Sequence, residues 1–238
     1  MNPTVARLTV RGLLGRRRGV LLLVVPALLL LLAVLVRVAN GKDQDIAVQV
    51  LGTLALGTLV PLLGLIAGTG AISSEIDDGS IVYLLAKPQP RWKIIVTKLV
   101  VAVGCTTAFA ALPTFLAGLI LYGTTDGLAI GYGLGALVAG AAYSAVFLLL
   151  GVATRHAVVV GLMYSLIWES LVGNFVHGAR TLSVQQWGLS LAKAVAEPGV
   201  ITADVSLSVA VPLLLLVTLA ATAFASVRLA GLTLAGEE

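Results

Sequence analysis

Six long apolar stretches, joined by short polar segments, occupy almost all of this chain. A helix crossing a hydrocarbon core of about 30 Å needs about 20 mostly apolar residues. The stretches near 20–38, 46–72, 99–121, 128–150, 157–175 and 206–227 are of that order. Backbone amides inside lipid must be paired by the protein itself, so the spanning structures are helices or closed barrels. A barrel would show segments of alternating polarity about ten residues long, and these stretches do not alternate. The expectation is an all-α membrane protein with six transmembrane helices in one domain covering residues 1–238.

Composition points the same way. Mean hydropathy is +1.07 and only 11% of residues are charged, against about a quarter in soluble domains. The segments between spans leave no room for a soluble domain of at least about 50 residues. Cys105 is the single cysteine; inside an apolar run it reads as a packing residue, with no metal-ligand spacing around it.

Orientation follows from the basic residues. With the N-terminus inside, eleven of the fifteen Lys and Arg fall on the cytoplasmic side, leaving Arg37, Lys42, Arg180 and Lys193 outside. That satisfies the positive-inside rule and places both termini in the cytoplasm. The basic start and first apolar run could suggest a secretory signal, but the run exceeds an h-region of about 7 to 15 residues. It reads as an uncleaved first span. Ahead of it, Arg7, Arg11 and Arg18 share a narrow helical arc, as an interfacial helix on an anionic leaflet requires, with Arg16 and Arg17 beside them. The alternative is an irregular tail held by Arg16 to Arg18.

Within the spans, Gly64 with Gly68, Gly131 with Gly135, and Gly140 with Ser144 set small residues at four-residue spacing, which lets backbones approach closely. Pro26, Pro61, Pro113 and Pro212 each free a backbone carbonyl and are candidate kinks. Between spans five and six, Ser183 and Gln186 form a capping box, with Leu182 and Trp187 at the staple positions. A short extracellular helix from Val184 to about Ala196 is expected, with Trp187 at headgroup level. Glu169 stands about 18 Å into the fifth span, where an acid must face protein or water. It reads either as a functional carboxyl or as a structural one hydrogen-bonded to a neighbouring helix.

Several chemistries are excluded by motif. His156 and His177 are the only histidines and form no H-E-x-x-H, there is no G-x-S-x-G elbow, and Gly41-Lys42 is followed by Asp43 where a phosphate loop needs Ser or Thr. No catalytic residue and no metal or nucleotide site is expected in this chain.

One hydrophilic island, Ser73 to Lys98, interrupts the apolar pattern on the cytoplasmic side. Glu75, Asp77 and Asp78 open a short helical stretch where negative charge suits the dipole, and Pro88 with Pro90 end it. Ile81, Val82, Leu84 and Leu85 then put apolar side chains beside water, in a segment suited to a groove on a partner. The alternative is a solvated loop on the headgroups. Arg91, Lys93 and Lys98 are expected to hold the entrance of the next span at the anionic leaflet.

The island resembles the cytoplasmic coupling segment of ABC-2-type permeases, the membrane subunits of ATP-binding-cassette exporters. Glu75, Gly79, Ser80, Ile81, Leu84, Leu85, Pro88, Arg91, Ile94 and Lys98 carry the likeness. The R-G-L-L-G-R-R-R before the first span and L-I-W-E-S near the end of the fifth are similar to what small bacterial members show. The resemblance implies a multi-pass protein of the bacterial cytoplasmic membrane, paired with a second permease copy and driven by a separate ATPase subunit that holds ATP and Mg. It further implies that Glu75, Asp77, Asp78, Gly79, Ile81, Leu84, Leu85 and Arg91 contact that ATPase, while Tyr83 and Trp92 pack at the water–lipid boundary. Membrane lipids are the other expected partners, and nucleic acid is not one. An ion-coupled carrier working through Glu169, or a non-transporting membrane scaffold, are the alternatives. The apolar lining suggests a lipid-like, amphipathic or drug-like substrate.

Overall fold

A computed structural model describes residues 3–72, 90–165, 167 and 179–231. Every regular element among them is helical. α1 (Pro3–Leu13) leads past Gly15 into α2 (Arg16–Asn40). The second span joins α3 (Gln44–Gln49), a π-helical stretch (Val50–Leu59) and α4 (Val60–Gly70). The third joins α5 (Arg91–Thr106), a second π-helical stretch (Thr107–Ala111) and α6 (Leu112–Leu121). A 3-10 turn (Thr125–Gly127) opens α7 (Leu128–Ala153), and α8 (Ala157–Met163), α9 (Val184–Val195) and α10 (Leu207–Gly231) follow.

Among the described residues, five helices are long and apolar enough to cross a membrane: Gly19–Asn40, Gln44–Gly70, Arg91–Leu121, Thr125–Ala153 and Leu207–Gly231. The chain is a multi-pass membrane protein. The fifth expected span is described at its start, as α8, and Glu169 lies outside the described residues. The third span begins earlier than expected. Pro90 precedes it with φ −65° and ψ 130°; the ring fixes that φ, and at the N-cap its missing N–H costs no ladder hydrogen bond. Arg91 to Lys98, assigned from sequence to the charged island, are therefore the opening turns of this span.

The second and fourth spans are the most buried of the five and form the centre of the bundle, while α2 and α10 lie on the outside. Small residues explain the central contact. A methyl added to Gly64 would sit 2.7 Å from Tyr143 Cβ, and one added to Gly68 would sit 2.8 Å from the Ser144 carbonyl. α4 and α7 thus touch backbone to backbone, the approach that small residues permit in lipid.

The prolines do not all behave alike. Pro26 and Pro212 sit inside continuous α-helices. Pro61 and Pro113 instead follow the two π-helical stretches, where Val60 N–H reaches Ala55 O and Leu112 N–H reaches Thr107 O. A proline ring crowds the carbonyl four residues back and offers no N–H, and opening the ladder by one residue relieves that crowding. Buried hydroxyls return to their own helices, as with Thr69 on Leu65 O at 2.6 Å and Thr114 on Ala110 O at 2.8 Å.

Candidate functional site

The charged island can be followed to its two feet, Ala71–Ile72 and Pro90–Arg91, while Glu75, Asp77, Asp78, Gly79, Ile81, Leu84 and Leu85 lie outside the described residues. At these feet Ile94, Lys98 and Ala102 recur every fourth residue and so share one face of α5. That face packs in a cluster with Ala67, Ala71 and Ile72, with Leu148 and Val152 of α7, and with Ala225 and Leu229 of α10. Lys98 is fully buried there, and its ammonium donates a 2.7 Å hydrogen bond to the Ala71 carbonyl.

Ala71 caps the C-terminus of α4, where carbonyls lack intrahelical donors and the helix dipole favours a cation. A buried ammonium costs several kcal/mol unless it is hydrogen-bonded, so this contact fixes where α4 ends relative to α5. Lys98 was expected at the anionic leaflet; the structure corrects this, because its four-residue spacing from Ile94 and Ala102 puts it on the apolar face. That spacing was the available signal.

The neighbouring residues stay outside. Arg91 is half-buried in the first turn of α5, and Trp92 is 55% exposed with the Lys93 ammonium 5.7 Å from its ring centroid. α1 packs on α5 with Val5, Thr9 and Leu13 buried and Arg7 and Arg11 exposed. Arg16, Arg17 and Arg18 form the first turn of α2. Because Leu229 shares the cluster with Ala71, the last helix ends at the same pole of the bundle as α1 and the island.

A polar knot gathers the opposite pole. The Arg37 guanidinium donates to Leu121 O at 3.3 Å, and the Lys42 ammonium donates to Thr125 Oγ1 at 2.7 Å while lying 4.8 Å from the Tyr122 ring centroid. The Tyr122 hydroxyl is 3.1 Å from both Gln44 Oε1 and Asp126 Oδ2, and the Glu197 N–H donates to Asp126 O at 2.9 Å. Asp126 has φ 58°, a left-handed conformation that Asp tolerates better than most residues. Loss of water around the ring, then the hydrogen bond and charge of Asp126 and the charge of Glu197, raise the Tyr122 phenol above its ordinary value of 10.0. Sequence reasoning missed this knot, although Asp126-Gly127 is a turn signal.

The helix expected from Val184 to about Ala196 forms as Val184–Val195, with Ser183 at its N-cap accepting from the Gln186 N–H at 3.3 Å. Its placement differs from expectation. Trp187 is not turned to headgroups: it is 2% exposed, and its indole N–H donates to Thr181 O at 2.8 Å. The inward face is Val184, Trp187, Gly188 and Ala192, while Val195 is exposed. The reason lies in α7, where a methyl on Gly131 would sit 2.6 Å from Ala192 O and one on Gly135 would sit 2.6 Å from Gly188 O. The Gly131–Gly135 step therefore receives α9, and the Gln185 amide reaches Gly52 O in the π-helical stretch at 3.0 Å. Arg180 pairs with Asp204 at 2.7 Å, and Ser190 donates to Val205 O at 2.7 Å, tying α9 to the segment that follows it.

Among the described residues no group of three or more His, Cys, Asp or Glu could hold a metal ion. What the described residues show at the island's pole is packing: the residues that flank the charged segment, Ala71, Ile72 and Ile94, join one buried cluster with α7 and α10. The sequence profile of a family described as ABC-2 family transporter protein matches residues 16–230. No curated protein matches the chain.

Proposed function

Because the chain belongs to the ABC-2 family of transporter proteins, we propose that it is the permease of an exporter powered by a separate ATP-binding-cassette ATPase. The observation that carries this reading is the family match, which runs through the described spans and the charged island alike. In this account two copies pair in a bacterial cytoplasmic membrane. Each island sits in a cleft of one ATPase subunit, which holds ATP and Mg and performs the hydrolysis.

The geometry supports a transmission role for the island. Its second foot is continuous with the third span through Arg91–Leu121, and its first foot is the end of α4, the helix seated against α7. Lys98 ties the two feet together, so a push on the island moves the second and third spans as one. Each of those spans contains a π-helical stretch followed by a proline, where the helix ladder is already open and bending costs least. Glu75, Asp77, Asp78, Ile81, Leu84, Leu85 and Arg91 are the residues proposed to meet the ATPase.

The test is copurification. The tagged full-length chain is expected to bring down an ATP-binding-cassette ATPase from its own membranes. Glu75→Ala and the Leu84→Ala/Leu85→Ala pair are expected to lose that ATPase while the permease still inserts. Unchanged copurification in both variants would remove the docking assignment. Transport that persists without the ATPase and collapses with a protonophore would overturn the reading as a whole.

A further inference from the structure

A cavity of about 280 Å³ opens between α1 and the third span, walled by Val10, Leu13 and Leu14 on one side and by Gly104, Cys105 and Phe109 on the other. Apart from the Cys105 thiol, these side chains are hydrocarbon. The volume falls at the small end of ligand pockets, which run from about 300 to 1,000 Å³, and suits one extended apolar chain better than a folded ligand. A methyl added to Gly104 meets nothing within 4 Å, so this stretch of α5 is unfilled by protein, and Val10 and Leu14 at the mouth are 40% and 50% exposed.

The charge beside the mouth identifies the occupant. At about 100° per residue, Arg7 and Arg11 lie about 40° apart, on the arc next to Val10, and both are exposed. The cavity wall continues along the third span to Phe109, about 12 Å from Val101 at 1.5 Å rise per residue. Exposed cationic side chains on the helix that walls a hydrocarbon slot match a molecule with an anionic head and an apolar tail. We propose that this cavity seats one acyl chain of an anionic membrane phospholipid, whose headgroup pairs with Arg7 and Arg11. The site would hold a resident lipid that fastens α1 to the third span, and it stands whether or not the transport reading does.

The test uses the full-length chain in phosphatidylcholine nanodiscs doped with phosphatidylglycerol bearing a diazirine in its acyl chain, with crosslinked peptides located by mass spectrometry. The expected result is crosslinking on Val101 to Phe109 that exceeds the yield from diazirine-phosphatidylcholine by about thirtyfold, as two arginines at an anionic surface predict. Gly104→Phe, which fills the slot, is expected to abolish crosslinking there while leaving it on the exposed Leu219 and Phe224 of α10. Arg7→Gln/Arg11→Gln, with the slot intact, is expected to equalise the two lipids. Equal labelling by both lipids in the unaltered chain, or labelling of Val101 to Phe109 that survives both Gly104→Phe and Gly104→Leu, would overturn the proposal.

Discussion

Lys98 and Ala71 stand on opposite sides of the charged island in sequence, and a 2.7 Å hydrogen bond from the Lys98 ammonium to the Ala71 carbonyl joins them in space. The bond closes the base of the segment proposed to receive the ATPase. It also places a cation at the negative end of α4, beside a buried cluster of Ala, Ile, Leu and Val.

Lys98→Met keeps much of the side-chain volume and removes the charge. The expected loss is about 2 kcal/mol, typical of a hydrogen bond to a charged group, read as a lower Tm in detergent with membrane insertion unchanged. Lys98→Glu is expected to do worse, because it sets a buried carboxylate against the Ala71 carbonyl with the dipole reversed against it. A Tm for Lys98→Glu at or above that of Lys98→Met would contradict the capping role.

How much of this was legible in the sequence depends on what the residues had to reveal. The described spans could be placed from their apolar runs because lipid demands length and hydrophobicity, and Ser183 announced the start of α9 because capping is a local interaction. The face of α9 was not legible. Trp187, Leu191 and Val195 form an apolar stripe that a headgroup region or a protein groove would satisfy equally, and the decision rests with Gly131 and Gly135, which lie far away in the chain. Lys98 failed for a related reason: charge counting sends a lysine to the leaflet, whereas its register with Ile94 and Ala102 sends it inward. Pro61 and Pro113 are candidate kinks on sequence and the structure widens the ladder before each, since a missing N–H does not reveal whether a ladder will bend or widen.

At the far pole, Tyr122 should titrate above the ordinary phenol value, because desolvation and the Asp126 carboxylate disfavour the phenolate. Below about pH 10 both folded and unfolded chains hold the proton, and above it the unfolded chain releases it first. The knot's contribution from this group is therefore present up to about pH 10 and fades as pH rises toward the folded value. Comparing ultraviolet phenolate titrations of the unaltered chain and Tyr122→Phe checks this. A difference curve centred at or below 10 would count against it.

The Arg180–Asp204 pair is short, but its side chains are 27% and 52% exposed. Solvent and salt screen such pairs, so Asp204→Asn, which removes the pair from the carboxylate side, is expected to cost no more than about 1 kcal/mol. The cost should shrink further as ionic strength rises, and thermal unfolding at low and high salt measures both. A large, salt-independent loss would mean that Asp204 contributes more than a screened ion pair.

Gly135 offers the sharpest test, because general helix propensity and local packing predict opposite signs there. Replacing a helical glycine by alanine stabilises an exposed site by about 1 kcal/mol, and Gly104→Ala, with open space around it, is expected to behave that way. At Gly135 the new methyl would meet the Gly188 carbonyl at 2.6 Å, a backbone atom that cannot rotate aside. Overpacking of this kind costs about 1 to 3 kcal/mol, so Gly135→Ala should lower Tm despite its better propensity. Because the strain is relieved by moving α9 outward, it should also expose the indole of Trp187, which is now 2% accessible. In a background carrying Trp92→Phe and Trp168→Phe, the expected signature is a red-shifted Trp187 emission for Gly135→Ala and none for Gly104→Ala. Unshifted emission with unchanged Tm in Gly135→Ala would mean that α9 does not rest on the Gly131–Gly135 step.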